Sequence, residues 1–325
     1  MPFLEFGFKH SMVERFPYSD YKLAKTVCAA LSNRTPDSEI ATFINSRSVG
    51  LIGRLGGTEA RYLGALIKNF SNTRELNPLH TKFAKSELKK RRLGINRDSG
   101  FFFRSPAEEL KFLEMYLDAL SDCDVLGVWG TAFAWVESIA LQNENLKVIP
   151  LGSTAPWVNE YPYQDFNAIN SWATALNGKK VLVVSPFAES IKRQHLRIEK
   201  CFPGVEYPKF ELSLEAPPVT YGFSQNSDNS WFDLLQGTLE RIQNRNFDLA
   251  LVGAGAYSLP IAHAIKKMGK IAIHTGGGTQ LFFGVMGNRW NASNYVNHFL
   301  NEYWIRPSKS EVPNGHSFVE DSCYW

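Results

Sequence analysis

Apolar and polar positions along the chain fall into a recurring unit: a short apolar run, a corner of small residues, then a stretch with helical spacing. The unit occurs five times. "SVGLIGRLGGTEARYLGALI" is the first, and "DVLGVWGTAFAWVESIAL" is the second, with Gly130 and Thr131 at its corner. "KKVLVVSPFAESIKRQ" turns at Ser185 and Pro186, and "FDLALVGAGAYSLPIAHAIKKMGK" turns at Gly253, Ala254 and Gly255. "KIAIHTGGGTQL" opens the fifth. Runs such as "VLVV" and "LALV" lack polar alternation, the mark of strands buried on both faces of a parallel sheet. Strands alternating with helices in this way predict an α/β fold with a doubly wound, mostly parallel, Rossmann-like sheet. "NSWFDLLQGTLERIQNR" predicts a further helix with Trp231, Leu234, Leu235, Leu239 and Ile242 on one face.

The pattern is weaker elsewhere. Residues 1–47 read as a mainly helical lead-in to a single α/β domain spanning 1–305, and 306–325 as an irregular C-terminal tail. Residues 70–110 are less regular, with a basic run followed by three consecutive phenylalanines. Residues 203–230 are rich in Pro, Ser, Asn and Gly and read as a long surface connection.

Composition narrows the class. Of 325 residues, 44% are hydrophobic and 21% charged, the balance of a folded chain with a real core. The net charge of +3 is too small to imply nucleic-acid binding, yet suits an anionic small ligand or a membrane surface. Cys28, Cys123, Cys201 and Cys323 show neither disulfide-framework nor zinc-ligand spacing. The opening "MPFLEFGFKHSMVERF" does not read as a secretory signal, and no run of about 18 apolar residues occurs. These features point to the cytoplasm.

In a parallel sheet, ligands bind beyond the carboxyl ends of the strands, so the five corners should share one edge. Helix N-termini there attract anions, and a diphosphate is a natural guest. "VGAGAYSLP" offers Gly253 and Gly255 for close backbone approach, although any tight strand–helix turn uses such glycines. The three glycines of "HTGGGTQ" (Gly276, Gly277 and Gly278) cost conformational entropy that an ordinary loop has no reason to spend, and they point to a ligand. His274 before them can bond a diphosphate or handle a proton, or simply be a satisfied core histidine. Arg54 can grip phosphate bidentately or pair with a nearby acid such as Glu59. Glu59 itself starts a helix, a common place for a carboxylate. Ser185, Glu189, Lys192 and Arg193 cluster at the third corner, where Glu189 has an easy capping explanation and the two cations an ordinary solvated face. Trp157, Tyr161 and Tyr163 can stack on a sugar or base, or pack in a core.

The order of the corners resembles the GT-D-type glycosyltransferases of bacterial surface-polysaccharide and glycoprotein glycan assembly, over roughly residues 48–305. The resemblance rests on "IGRLGGTEARYL", "KKVLVVSPFAESIKRQ" and above all "FDLALVGAGAYSLPIAHAIKKMGKIAIHTGGGTQLFFGVMGNRW". It implies a Rossmann-like fold and transfer of a sugar, with retained anomeric configuration, from a nucleotide donor, typically UDP-linked. The acceptor would be a growing glycan; a lipid-linked one would place the protein at the inner face of the membrane. The family motif Arg-aromatic-Gly-Asp-Gly-Glu is matched by Arg54, Gly56 and Glu59, with Leu55 at the aromatic and Gly57 at the aspartate position. The Asp-x-Glu pair is linked in that family to the donor diphosphate and its divalent cation, Mn²⁺ or Mg²⁺. Here only Glu59 remains as a metal ligand, so metal dependence is in question. The implied catalytic residues are Glu59 and His274. Arg54, Gly56, Gly57, Ser185, Glu189, Gly253, Gly255, Gly276, Gly277 and Gly278 would bind the donor. The rival is a nucleotide-binding module without transfer activity. A dinucleotide-dependent oxidoreductase is disfavoured, because GxGxxG with a downstream ribose-binding acid is missing.

Overall fold

The computed structural model describes residues 36–72, 78–128, 145–150, 172–224, 228–291 and 294–325. The corner at Gly130 and Thr131, the aromatic residues Trp157, Tyr161 and Tyr163, and most of the 1–47 lead-in lie outside them.

Among the described residues, seven parallel strands form one sheet: β1 (Gly50–Arg54), β2 (Val125–Val128), β3 (Lys147–Pro150), β4 (Lys180–Val184), β5 (Glu211–Glu215), β6 (Leu249–Val252) and β7 (Ile271–His274). Their spatial order is β3-β2-β1-β7-β6-β4-β5, parallel at every pairing. The main helices are α1 (Pro36–Ser46), α2 (Gly57–Asn72), α3 (Pro78–Gly94), α4 (Pro106–Ser121), α5 (Ala188–His195), α6 (Ile198–Cys201), α7 (Trp231–Gln243), α8 (Ser258–Lys267), α9 (Gly278–Phe282) and α10 (Asn294–Asn297). This is a doubly wound, Rossmann-like α/β fold.

Successive side chains of the unbroken apolar runs serve opposite layers. Leu182, Val184, Ala250 and Val252 join α2, α4, α7 and α8 in one core. Val181, Val183, Leu249 and Leu251 join α1, α5, α6 and α9 in the other. Every residue of β1, β2, β6 and β7 is buried, which is why their sequences show no alternation. Helix α7 is anchored by a capping box between Ser230 and Asp233, and it buries Trp231, Leu235 and Ile242.

Three regions add to the sequence-based expectation. Residues 203–230 are not only a connection, because Glu211–Glu215 forms the edge strand β5. Its outer residues remain partly exposed, so it shows no apolar run to find. Residues 70–110 contain all of α3, a π-helical turn at Ile95–Ser99 and the start of α4. Segment 306–325 has only short 3₁₀ turns, yet it is packed into the second core through Val319, Cys323 and Trp325. Among the described residues, no helix is long and apolar enough to cross a membrane.

The connections decide where a cleft can open. After β1 and β6 the chain enters α2 and α8 on one face, while after β4 and β7 it enters α5 and α9 on the other. Adjacent strand ends therefore diverge on both sides of β7 and between β6 and β4. Register places Val184, Val252 and His274 in one row, so their loops begin at the same height. Such divergence is where open α/β sheets bind ligands.

Candidate functional site

A cleft of about 500 Å³ opens there. Its walls include Arg54, Gly56, Gly57, Glu59, Ser185, Gly253, Gly255, His274, Gly276 and Gly277, so four of the predicted corners converge. Glu189 and Gly278 do not line it. Gly278 is buried inside α9. Glu189 accepts a hydrogen bond from Ser310 Oγ, and its backbone N–H donates to Glu311 Oε1 at 2.8 Å. Arg193 donates to Ser308 Oγ at 2.6 Å, so the third corner is largely committed to the C-terminal segment.

Arg54 ends β1 and is only 7% exposed. Its Nη1 donates to Thr275 O at 3.3 Å, and its guanidinium lies against Gly276. Gly276 has φ +56°, and a Cβ there would come within 3.0 Å of Arg54 Cζ. The positive φ favours glycine, and a side chain there would also make the guanidinium shift. Gly255 answers a packing need instead: its φ is +55°, and a Cβ would press on Tyr221 and on Ser99 O. The glycines thus let three loops interlock as well as bare their backbone to the cleft.

His274 is buried, and a ring nitrogen, Nδ1, lies 3.0 Å from Arg54 O. A carbonyl can only accept, so Nδ1 carries the proton and Nε2 keeps its lone pair. Burial, aided by the Arg54 cation, holds the imidazole pKa well below its ordinary value despite that hydrogen bond. His274 is therefore a neutral acceptor.

Glu59 shifts the other way. Burial raises its pKa, against the lowering effects of a hydrogen bond from its own backbone N–H, one from Ser99, and the Arg54 charge. Asp98 adds to the rise by repulsion. Burial thus favours the uncharged form of both groups and moves their pKa values toward each other. Ser99 and Asp98 come from the π-helical turn, which carries no recognisable motif.

The resemblance implies a divalent cation, and the residues present do not fit a resident one. The Glu59 carboxylate folds back over Gly56, where a Cβ would collide with it. Asp98 is paired with Arg97 at 2.6 Å, and Glu320 is paired with Arg289. Among the described residues, no three His, Cys, Asp or Glu side chains are grouped to hold a metal. Arg54 and Arg61 also line the cleft, as does Arg289 in its pair with Glu320.

Segment 306–325 supplies a wall that sequence reasoning left out. Glu320, Tyr324 and Trp325 line the cleft beside Trp290 and Tyr221. Trp325 sits edge-on to Phe187 at 6.2 Å between centroids, and its Nε1 donates to Glu311 O at 3.0 Å. The concentration of aromatic residues in "SFVEDSCYW" was the one available signal. The chain is a Rossmann-like α/β protein with a cleft at its strand ends lined by arginines, carboxylates and aromatic side chains. Comparison with protein-family models, curated proteins and solved structures yields no match.

Proposed function

We propose that the protein is a glycosyltransferase that moves a sugar from a nucleotide-sugar donor, of the UDP-linked class, to a growing glycan acceptor. One observation carries this reading: Arg54 is held, nearly buried, at the end of β1, against Gly276 and beside Glu59 and His274. A buried guanidinium at diverging strand ends suits a diphosphate, whose charge repays the cost of burying the cation. Aromatic side chains on the opposite wall suit a base or sugar ring.

Transfer breaks the bond between the anomeric carbon and the diphosphate oxygen. Arg54, with Arg61 and Arg289, would stabilise the negative charge left on that oxygen. The acceptor hydroxyl attacks the anomeric carbon and must release a proton. His274 has an acceptor nitrogen but a depressed pKa, so it orients the hydroxyl better than it keeps a proton. Glu59, whose raised pKa makes its carboxylate more basic than an ordinary one, would take the proton. No step requires a metal.

A second reading is a nucleotide-binding module without transfer. It is favoured by the engagement of the Glu59 carboxylate with its own N–H and Ser99, the posture of a helix-start residue. A thermal-shift screen of nucleotide sugars, with and without Mn²⁺ or Mg²⁺, tests the shared claim, since any ligand selective for the folded state raises its melting temperature. The transferase reading further requires release of nucleoside diphosphate on addition of acceptor. No shift with any nucleotide sugar would sink both readings.

A further inference from the structure

Two residues of the cleft wall each carry a buried polar atom that the fold leaves without a partner. Gln280 is 1% exposed and Trp290 2%, and both line the cleft. Gln280 Nε2 donates to Val285 O at 3.3 Å and to Tyr324 O at 3.2 Å, which fixes the orientation of its amide. Its Oε1 then has no donor, and Trp290 Nε1 has no acceptor. Buried polar groups without partners are uncommon, and each costs stability unless something arrives to satisfy it. Here one acceptor and one donor are left over in the same wall. Both residues pack against Tyr324, Gln280 through its backbone carbonyl and Trp290 through its ring at 6.2 Å.

Chain connectivity ties Gln280 to the Arg54 end of the cleft. The guanidinium of Arg54 lies on Gly276, and Gln280 follows one turn later, after Thr279 N and Gln280 N bond back to Gly276 O and Gly277 O. One helical turn is about 5 Å. On the nucleotide-sugar reading, the group attached to a phosphate beside Arg54 is the candidate occupant of this part of the cleft. A charged group is a poor match, because an orphan acceptor and an orphan donor together call for a neutral partner offering both functions.

We propose that Gln280 and Trp290 are specificity-determining residues that read an uncharged donor–acceptor group of the ligand, the hydroxyl or acetamido group of a phosphate-linked sugar. The proposal rests on the nucleotide-sugar reading and adds which residues recognise the sugar. Neither residue is needed to hold the diphosphate.

The test compares binding of UDP, UDP-glucose and UDP-N-acetylglucosamine to wild type, Gln280→Met and Trp290→Phe by titration calorimetry. Wild type should bind at least one sugar-bearing probe more tightly than UDP, and the stronger of the two identifies hydroxyl or acetamido recognition. Each variant should lose about five- to tenfold in affinity for that probe while its affinity for UDP stays within about twofold. Because the readout is a ratio between probes, a general loss of stability does not imitate it. Unchanged discrimination in both variants would overturn the proposal, as a bound water would then explain the two atoms. An equal loss for UDP and UDP-sugar would also overturn it, by showing that the pair reads the nucleotide. If none of the three probes binds wild type, it is the nucleotide-sugar reading that fails.

Discussion

The β1–α2 and β4–α5 corners look alike in sequence and have opposite fates. Each follows a buried strand, turns on small residues and places a glutamate in the first turn of a helix, Glu59 in one and Glu189 in the other. At the first corner, Arg54 and Glu59 are buried and line the cleft. At the second, the helix start is already filled. Glu311 Oε1 accepts from Glu189 N at 2.8 Å and from Ser190 N at 3.1 Å, and Glu311 also takes the Ser190 hydroxyl. A carboxylate from the C-terminal segment thus occupies the place where a free helix start would attract an anion. A strand–corner–helix pattern offers an anion site, and distant chain decides whether it stays open.

The largest expected effect separates the two corners by their cations. Arg54→Met should weaken binding of UDP about a hundredfold, or roughly 3 kcal/mol, because it leaves the diphosphate without its buried partner. Arg193→Ala should change the same affinity by less than about twofold, since Arg193 serves Ser308. Calorimetric titration of both variants checks this, and comparable losses would erase the distinction.

Next in size is Gly276→Ala. A side chain at φ +56° that also meets Arg54 should cost about 1–3 kcal/mol of stability, read by urea denaturation, and lower UDP affinity as well. Glu311→Ala should follow, removing the carboxylate that caps α5 and costing about 1–2 kcal/mol. A loss of stability as small as that of an exposed surface substitution would mean that the second corner is not held by Glu311.

The smallest expected effect is a pH trend. Burial raises the Glu59 pKa above its ordinary 4.5, so the folded state holds this proton more tightly than the unfolded chain. The associated stability is fully present below about pH 4.5 and is lost as pH rises through the folded-state pKa. Glu59→Gln removes this titration. Its melting temperature relative to wild type should therefore climb between about pH 4 and pH 8. A difference independent of pH would place Glu59 in a solvated environment.

The comparison also marks how far local pattern reaches. β1, β4, β6 and β7 were legible because both of their faces are buried, and the corners followed from them. β5 was not, because an edge strand keeps polar and partly exposed positions. Arg54, Glu59 and His274 could be found by type and place in a corner. The fate of Glu189 could not, because Ser310 and Glu311 lie more than a hundred residues away in sequence. Asp98 and Ser99 were hidden for a related reason, since a π-helical turn announces itself neither by period nor by composition. The aromatic wall at Tyr324 and Trp325 stood in a stretch whose lack of periodicity says nothing about what it packs against.

The account stands most directly on release of nucleoside diphosphate from a nucleotide sugar, measured with a glycan acceptor for wild type and Glu59→Gln side by side. Wild type should release diphosphate, and Glu59→Gln should bind the same donor with near-normal affinity while losing most turnover. Donor binding by wild type with no release under any acceptor would contradict a transferase and leave a nucleotide-binding module. Near-normal turnover in Glu59→Gln would contradict the assigned role and leave Glu59 a helix-start residue alone.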